Sequence, residues 1–227
     1  TKRNIIKLYE KDFNKIDRSG NASKMFHAIP SQLQCNASRY IVAAATDGGR
    51  KNRLMETISD MEDSMVVNIA YHVDDPNVGM AQTMNKSAFK MFVCDTGLFV
   101  TLVFWDKDFT ENIIYEKLLS DKLPANLGYI YENVVAQILK ASGYELFYHT
   151  FAKEDGKHYY EIDFILPDGD KIDPIEVKSS SYNRHASLDA FFQKYHTRIK
   201  QQYLIYTKDL RKDGMVTALP AYFTQFL

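Results

Sequence analysis

The sequence of 227 residues has few cysteines and no long hydrophobic run. Cys35 and Cys94 lie far apart and lack the spacing of metal ligands, which favours free thiols in a reducing compartment. The longest apolar stretch, 98–105, falls well short of the roughly 18 residues of a membrane span, and we expect no secretory signal. We therefore expect a cytoplasmic protein with no membrane partner and no disulfide framework.

An excess of one charge is also lacking, since the formal net charge is −1. Two neighbouring blocks nevertheless differ: 107–177 holds 7 basic and 14 acidic residues, whereas 178–212 holds 8 basic and 2 acidic ones. An acidic block next to a basic one is what a cation site beside a phosphate-binding surface requires. The solvated faces of two adjacent elements would give the same pattern, so both interpretations stay open.

Hydrophobic spacing in the first half predicts short helices followed by a hairpin. The helices are expected at 5–16, from Asn21 or Ser23 toward Leu33, at 38–45 and at 53–65, and a strand at 66–73 leads into a turn at 74–77. Pro30 is expected to end or kink the second helix. This order of elements is typical of a winged helix. With the strongly apolar segment 90–104 included, we place a winged-helix-like domain at 1–106.

The second half alternates helices and strands, as an α/β domain at 107–227 would. A helix is predicted from Leu123 to Ser142, with Pro124 in its first turn and Gly143 just after its end. The further predicted elements are strands at 145–151, 159–166 and 171–178, a helix at 188–199, a strand at 202–207 and a short helix from Pro220.

One predicted hairpin carries the acidic side chains of main interest. Its strands read Glu161-Ile162-Asp163-Phe164-Ile165-Leu166 and Asp173-Pro174-Ile175-Glu176-Val177-Lys178. Because side chains alternate along a strand, three apolar residues of the first strand are expected to share one face: Ile162, Phe164 and Leu166. Asp163 is expected on the opposite face, where Glu176 and Lys178 of the next strand can reach it. Glu161 and Asp173 are expected to be solvent-facing or structural.

A third carboxylate is available on the helix before the hairpin. Its predicted buried face consists of Leu127, Ile130, Val134, Val135, Ile138 and Leu139. Glu132 lies roughly 200° around the helix from Ile130, at the margin of that face. We therefore expect Glu132 to lean over a sheet edge toward Asp163 and Glu176.

A helix glutamate, an aspartate and, after 12 intervening residues, Glu-x-Lys resemble the motif of the PD-(D/E)xK nuclease fold. Restriction enzymes and archaeal Holliday-junction resolvases share this fold; Ile162 stands where the motif has proline. The resemblance implies a restriction-endonuclease-like domain with a mixed central sheet flanked by helices. It implies that Asp163, Glu176 and Glu132 bind Mg²⁺ (or Mn²⁺) and that Lys178 positions the water that cleaves DNA. The alternative is that Glu176 and Lys178 form an exposed strand ion pair.

Basic residues after the hairpin are candidates for contacts with DNA phosphates. The four that we select are Arg184, Lys194, Arg198 and Lys200. A plain solvated helix face would have the same composition, so this interpretation stays open as well.

A second resemblance covers nearly the whole chain. The residues that carry it are Tyr9, Asp12, Ile29-Pro30-Ser31-Gln32-Leu33, Phe89-Lys90-Met91-Phe92-Val93-Cys94-Asp95-Thr96-Gly97-Leu98, Gly128, Glu132-Asn133, Glu161-Ile162-Asp163-Phe164 and Glu176-Val177-Lys178. They resemble the uncharacterised C-terminal region that follows the P-loop domain in a group of prokaryotic AAA-type ATPases.

This second resemblance implies a winged helix followed by a nuclease-like domain, with ATP bound only by an upstream ATPase domain. A start at Thr1 without an initiator methionine is expected for the C-terminal part of such a longer protein. A homo-oligomer is compatible with it. The alternative function is a non-catalytic module on a degenerate nuclease fold, which recognises DNA or a protein and reports to the ATPase.

Overall fold

The chain folds around one mixed β-sheet with helices on both faces. The structure is a computed structural model that describes residues 1–35, 38–105, 116, 128–179 and 184–227. Its α-helices are α1 (Lys2–Ile16), α2 (Asn21–Gln34), α3 (Val42–Ala45), α4 (Lys51–Asp63), α5 (Thr96–Val103), α6 (Gly128–Ala141) and α7 (Ala186–Tyr195). Its strands are β1 (Val67–Val73), β2 (Met84–Val93), β3 (Leu146–Ala152), β4 (Tyr159–Asp168), β5 (Lys171–Val177), β6 (Gln202–Tyr206), β7 (Arg211–Asp213) and β8 (Val216–Pro220). Short 3₁₀ helices span Met80–Gln82, His196–Arg198 and Ala221–Phe226.

The eight strands lie in the order β2-β1-β3-β4-β5-β6-β8-β7. The pairs β1/β3, β5/β6 and β6/β8 are parallel, and the other pairs are antiparallel. The predicted α/β class with a mixed central sheet flanked by helices is confirmed. The pair β1/β2, which was predicted as part of a winged helix, forms one edge of this sheet. The division into two domains at residue 106 stays a prediction. In the structure, β1 from the first half pairs directly with β3 from the second half, so the two halves share one sheet.

Most predicted elements form within a few residues of their expected bounds. The second helix continues through Pro30 to Gln34, so this proline does not end it. The helix predicted at 38–45 forms only as the single turn α3. Helix α6 ends before Gly143, whose φ of +92° is in the left-handed region that glycine tolerates. The predicted start of this helix at Leu123, and Leu127 of its buried face, lie outside the described residues.

The sheet has a separate hydrophobic core on each face. The larger core lies between the sheet and helices α1, α2, α4, α5 and α6, and includes Phe26, Phe92 and Phe164. The smaller core lies under α7, which buries Leu188 and Phe191. In the ranges that the structure describes, no helix is both long and apolar enough to cross a bilayer.

Buried Asn133 fixes the register of α6 against the sheet. Its side-chain Nδ2 donates to the carbonyl of Val93 and to Thr96 Oγ1, each at 3.0 Å. Its Oδ1 accepts from the Val93 amide at 2.9 Å. Because Glu132 directly precedes Asn133, these hydrogen bonds also fix the backbone position of Glu132 relative to the sheet.

Candidate functional site

Asp163 lies at a β-bulge in β4. The β3/β4 ladder pairs Phe147 with Ile165 but His149 with Ile162, so Tyr148 of β3 faces two residues of β4, Asp163 and Phe164. The bulge changes the alternation of side chains along the strand. Bulges of this kind are common next to active sites, where they redirect a side chain.

The prediction that Ile162, Phe164 and Leu166 share one face of the sheet is therefore wrong for Ile162. Phe164 and Leu166 pack in the larger core, whereas Ile162 packs in the smaller core on the other face of the sheet. The physical reason is the extra residue of the bulge. On β5, Ile175 and Val177 both pack in the larger core, as the alternation of side chains along a strand predicts.

Asp163 meets the end of β5 through its side chain. The β4/β5 ladder runs up to the pair Phe164–Ile175, and the same register continued by one residue places Asp163 opposite Glu176. Beyond this pair Asp163 Oδ2 accepts a hydrogen bond from the Val177 amide at 2.7 Å. At the end of the β4/β5 ladder, the Asp163 carboxylate thus accepts the hydrogen bond that a backbone carbonyl of β4 would otherwise accept. This places the carboxylate next to Glu176-Val177-Lys178.

Glu176 and Lys178 form a close ion pair, with 2.6 Å between Oε1 and Nζ. The Glu176 side chain is only 4% exposed and that of Lys178 is 33% exposed, so the alternative of an exposed strand pair does not describe the glutamate. The second oxygen of Glu176, Oε2, is buried without a hydrogen-bond partner among the described residues. Leaving a buried charged oxygen unpaired is costly, so this atom needs an explanation.

Lys90 on β2 is a component of the site that the sequence analysis missed. Its side chain is 5% exposed, lies over the ring of Tyr148 at 5.5 Å, and forms an ion pair with Glu161. It also lies 3.6 Å from Glu132 Oε2. A lysine inside the apolar run Phe89–Val93 was the available signal, because a buried lysine requires an anionic partner elsewhere in the chain.

Glu132 reaches the hairpin region, and its ion-pair partner there is the Lys90 ammonium, 3.6 Å away. Its helix begins at Gly128, where an added Cβ would lie 3.2 Å from Ser179 Oγ just after β5. The missing side chain therefore lets the first turn of α6 approach the end of β5 closely. This approach brings Glu132 into electrostatic range of Asp163 and Lys178.

Burial and neighbouring charges both shift the pKa values in this region. Burial, and next the neighbouring carboxylate of Glu132, hold the pKa of Asp163 well above its usual range. Burial also raises the pKa of Glu132, although Lys90 opposes that shift. For both lysines burial disfavours the charge but the adjacent carboxylates outweigh it: Glu161 raises the pKa of Lys90, and Glu176 that of Lys178.

We define the acidic cluster as Glu132, Glu161, Asp163 and Glu176, which together with Lys90 and Lys178 contain two more carboxylates than ammonium groups. The candidate metal-ligand atoms of the four acidic residues are all carboxylate oxygens, which Mg²⁺ and Mn²⁺ prefer. Within the described ranges, no three His, Cys, Asp or Glu side chains are placed to hold one ion together. Mg²⁺ is usually bound by one or two carboxylates with water and substrate phosphate, and carboxylates such as those of Asp163 and Glu176 are ligands of this chemical kind.

Three of the four basic residues expected to contact DNA already have partners within the chain. The pairs are Lys194 with the ring of Tyr195, Arg198 with Asp75, and Lys200 with Asp168 at 2.8 Å. Arg184 is exposed and makes no ion pair with any residue that the structure describes. Of the four, Arg184 is therefore the side chain that has no such partner among the described residues.

The two halves of the chain are similar to two different protein families. Residues 1–108 match the family model of a domain of unknown function (DUF8612), and residues 127–223 match that of a second domain of unknown function (DUF4143). The second match contains the acidic cluster, whereas Lys90 lies within the first. No curated protein and no solved structure matches the chain.

Proposed function

We propose that the acidic cluster binds a divalent cation and serves the hydrolysis of DNA phosphodiester bonds. The observation that carries the proposal is the buried Glu176 Oε2, which lacks a hydrogen-bond partner among the described residues and lies in a cluster with an excess of carboxylates. A divalent cation would give this oxygen a partner and would favour the ionised forms of Asp163 and Glu132, whose pKa values burial raises. The resemblance of Asp163 and Glu176-x-Lys178 to the PD-(D/E)xK motif supports the same function.

Asp163 and Glu176 would hold the cation from adjacent strands, and the Glu132 carboxylate on α6 would act on the site through its charge rather than as a third ligand. Such a cation, when bound, makes its water more acidic and neutralises charge on the phosphate. Lys178, held by Glu176 at 2.6 Å, would orient the attacking water. The Val177 amide holds Asp163 Oδ2, so the second oxygen of Asp163 is the one available to a ligand.

Metal-dependent cleavage tests this proposal directly. Labelled duplex, branched and single-stranded DNA are incubated with the chain and Mg²⁺ or Mn²⁺, and the products are separated on a denaturing gel. Glu176→Gln and Lys178→Met should each abolish cleavage. The matched control is Glu145→Gln, since Glu145 is an exposed carboxylate that pairs with Lys140, and it should cleave like the native chain. Cleavage that survives Glu176→Gln would contradict the assignment.

A second candidate is a non-catalytic module on the same fold, and the position of Lys90 favours it. Lys90 already supplies a cation to Glu132 and Glu161, so the cluster is partly neutralised by the chain itself. In this case the cluster is a structural ion-pair network, and DNA or a protein would bind elsewhere. Absence of both metal binding and cleavage, with DNA affinity retained, would support this second candidate.

We further propose that the chain works beside an AAA-type ATPase domain, as its resemblance to the C-terminal region of such proteins implies. Residues 1–106 would form a winged-helix-like domain that contacts protein. Helix α4 is a poor reader of a DNA groove because the acidic residues Glu56, Asp60 and Asp63 follow its basic first turn. Arg53→Ala should accordingly leave DNA affinity unchanged in a fluorescence-anisotropy titration, and a large loss would contradict the protein-contact role.

A further inference from the structure

A cavity of about 460 Å³ lies on the first half of the chain, between the α3 region and the start of α4. This volume is within the range of pockets that bind small molecules. The acidic cluster contributes no residue to its lining. A ligand bound here would therefore be independent of the proposed hydrolysis.

The walls of the cavity are mainly apolar. Tyr40 and Phe89 stack with ring centroids 6.0 Å apart, and the Tyr40 hydroxyl donates to the Met25 carbonyl at 2.7 Å, so its polar end is satisfied inside the protein. Leu54 and Met55 of α4 also line the cavity. These side chains offer surface for an apolar ligand body rather than for a polar one.

Two glycines leave part of the wall without side chains. Gly48 and Gly49 have φ values of +117° and +152°, which side chains rarely adopt. A Cβ on Gly49 would also lie 3.2 Å from Leu54 Cγ. The loop thus combines an unusual backbone conformation with an open cavity wall.

The charges that line the cavity are of one sign. Arg39 and Lys51 both line it, and no acidic residue is among its described lining residues. Both cations are exposed, and neither makes an ion pair in the described parts of the chain. An apolar cavity with two unpaired cations selects a negatively charged ligand with an apolar body.

We propose that this cavity binds a small amphipathic organic anion. The apolar body of the ligand packs on Tyr40, Leu54 and Met55, and its carboxylate, sulfonate or phosphate is held by Arg39 and Lys51. The same chemistry could come from a fatty acid or from a nucleotide, and competition distinguishes these sources.

The test uses the full chain and the probe 8-anilinonaphthalene-1-sulfonate, which combines an apolar body with an anion. Fluorescence titration should give saturable binding to one site. The double variant Arg39→Ala/Lys51→Ala should weaken this binding at least about tenfold, as expected for the loss of charge-assisted hydrogen bonds. Octanoate and adenosine monophosphate are then compared as competitors, and the one that displaces the probe identifies the class of ligand.

A blocking variant and a charge control complete the experiment. Ala43 is exposed and lines the cavity, so Ala43→Trp should fill the space and abolish probe binding without a change in thermal unfolding. Lys7→Ala removes an exposed cation of α1 outside the cavity and should bind the probe like the native chain. Probe binding that is not saturable, or that persists in both the double variant and Ala43→Trp, would overturn the proposal.

Discussion

Removal of the Lys90 ammonium should strongly destabilise the protein. Lys90→Met keeps most of the apolar stem but leaves Glu161 and Glu132 without their cation. Removing one partner of a buried ion pair costs about 3–5 kcal/mol, because the remaining charge stays buried and unpaired. Since the Glu161 side chain is 30% exposed and that of Glu132 is 19% exposed, water offsets part of this cost and we expect about 3 kcal/mol.

Urea denaturation followed by circular dichroism measures this effect. With a denaturant dependence of about 3 kcal/mol per molar, the midpoint of Lys90→Met should fall by about 1 M at pH 7. The control Lys140→Met breaks an exposed pair with Glu145, 3.2 Å apart, and should cost less than about 1 kcal/mol. If both variants unfold at the native midpoint, Lys90 is not the counter-ion of the acidic cluster and the electrostatic reasoning is refuted.

Three other outcomes follow from single positions. Asn133→Leu removes three buried hydrogen bonds and should destabilise the chain by about 2–3 kcal/mol in the same assay, whereas an unchanged midpoint would show that they do not hold α6. Burial lowers the pKa of His149 to about 4 from 6.5, so the unfolded chain binds more protons between these values, and stability should fall by up to about 3 kcal/mol as the pH drops through that window. His149→Phe should lack this contribution, and identical pH profiles of the two proteins would contradict it. Gly128→Ala places a methyl group 3.2 Å from Ser179 Oγ and should weaken Mg²⁺ binding through displacement of α6, which calorimetry would reveal; native affinity would mean that the close approach is unimportant.

Local patterns were sufficient to predict much of the fold. The hairpin of β4 and β5 was expected at 159–166 and 171–178, and the strands span Tyr159–Asp168 and Lys171–Val177. Alternating apolar residues on both sides of a Pro-Asp-Gly turn carry this information within a few residues of sequence. The helix glutamate and its approximate direction were likewise available from helical periodicity.

Features that depend on pairing between distant segments of the chain could not be predicted from the sequence. The bulge at Asp163 arises from the register of β4 against β3, so the sequence of β4 alone could not show that Ile162 faces the second core. Lys90 reaches Glu161 only because β1 and β3 pair in parallel and join the two halves of the chain in one sheet. The strands β7 and β8 were not predicted, and β7 has three exposed polar residues without an apolar pattern.

Calorimetric titration of the chain with Mg²⁺ and Mn²⁺ tests the central claim most directly, because it requires no knowledge of the DNA substrate. We predict that the native chain binds one divalent cation, that Glu176→Gln weakens this binding at least about tenfold, and that Glu145→Gln leaves it unchanged. The absence of binding heat with either metal, or equal affinity in the native chain and Glu176→Gln, would contradict the assignment of the acidic cluster as a metal site.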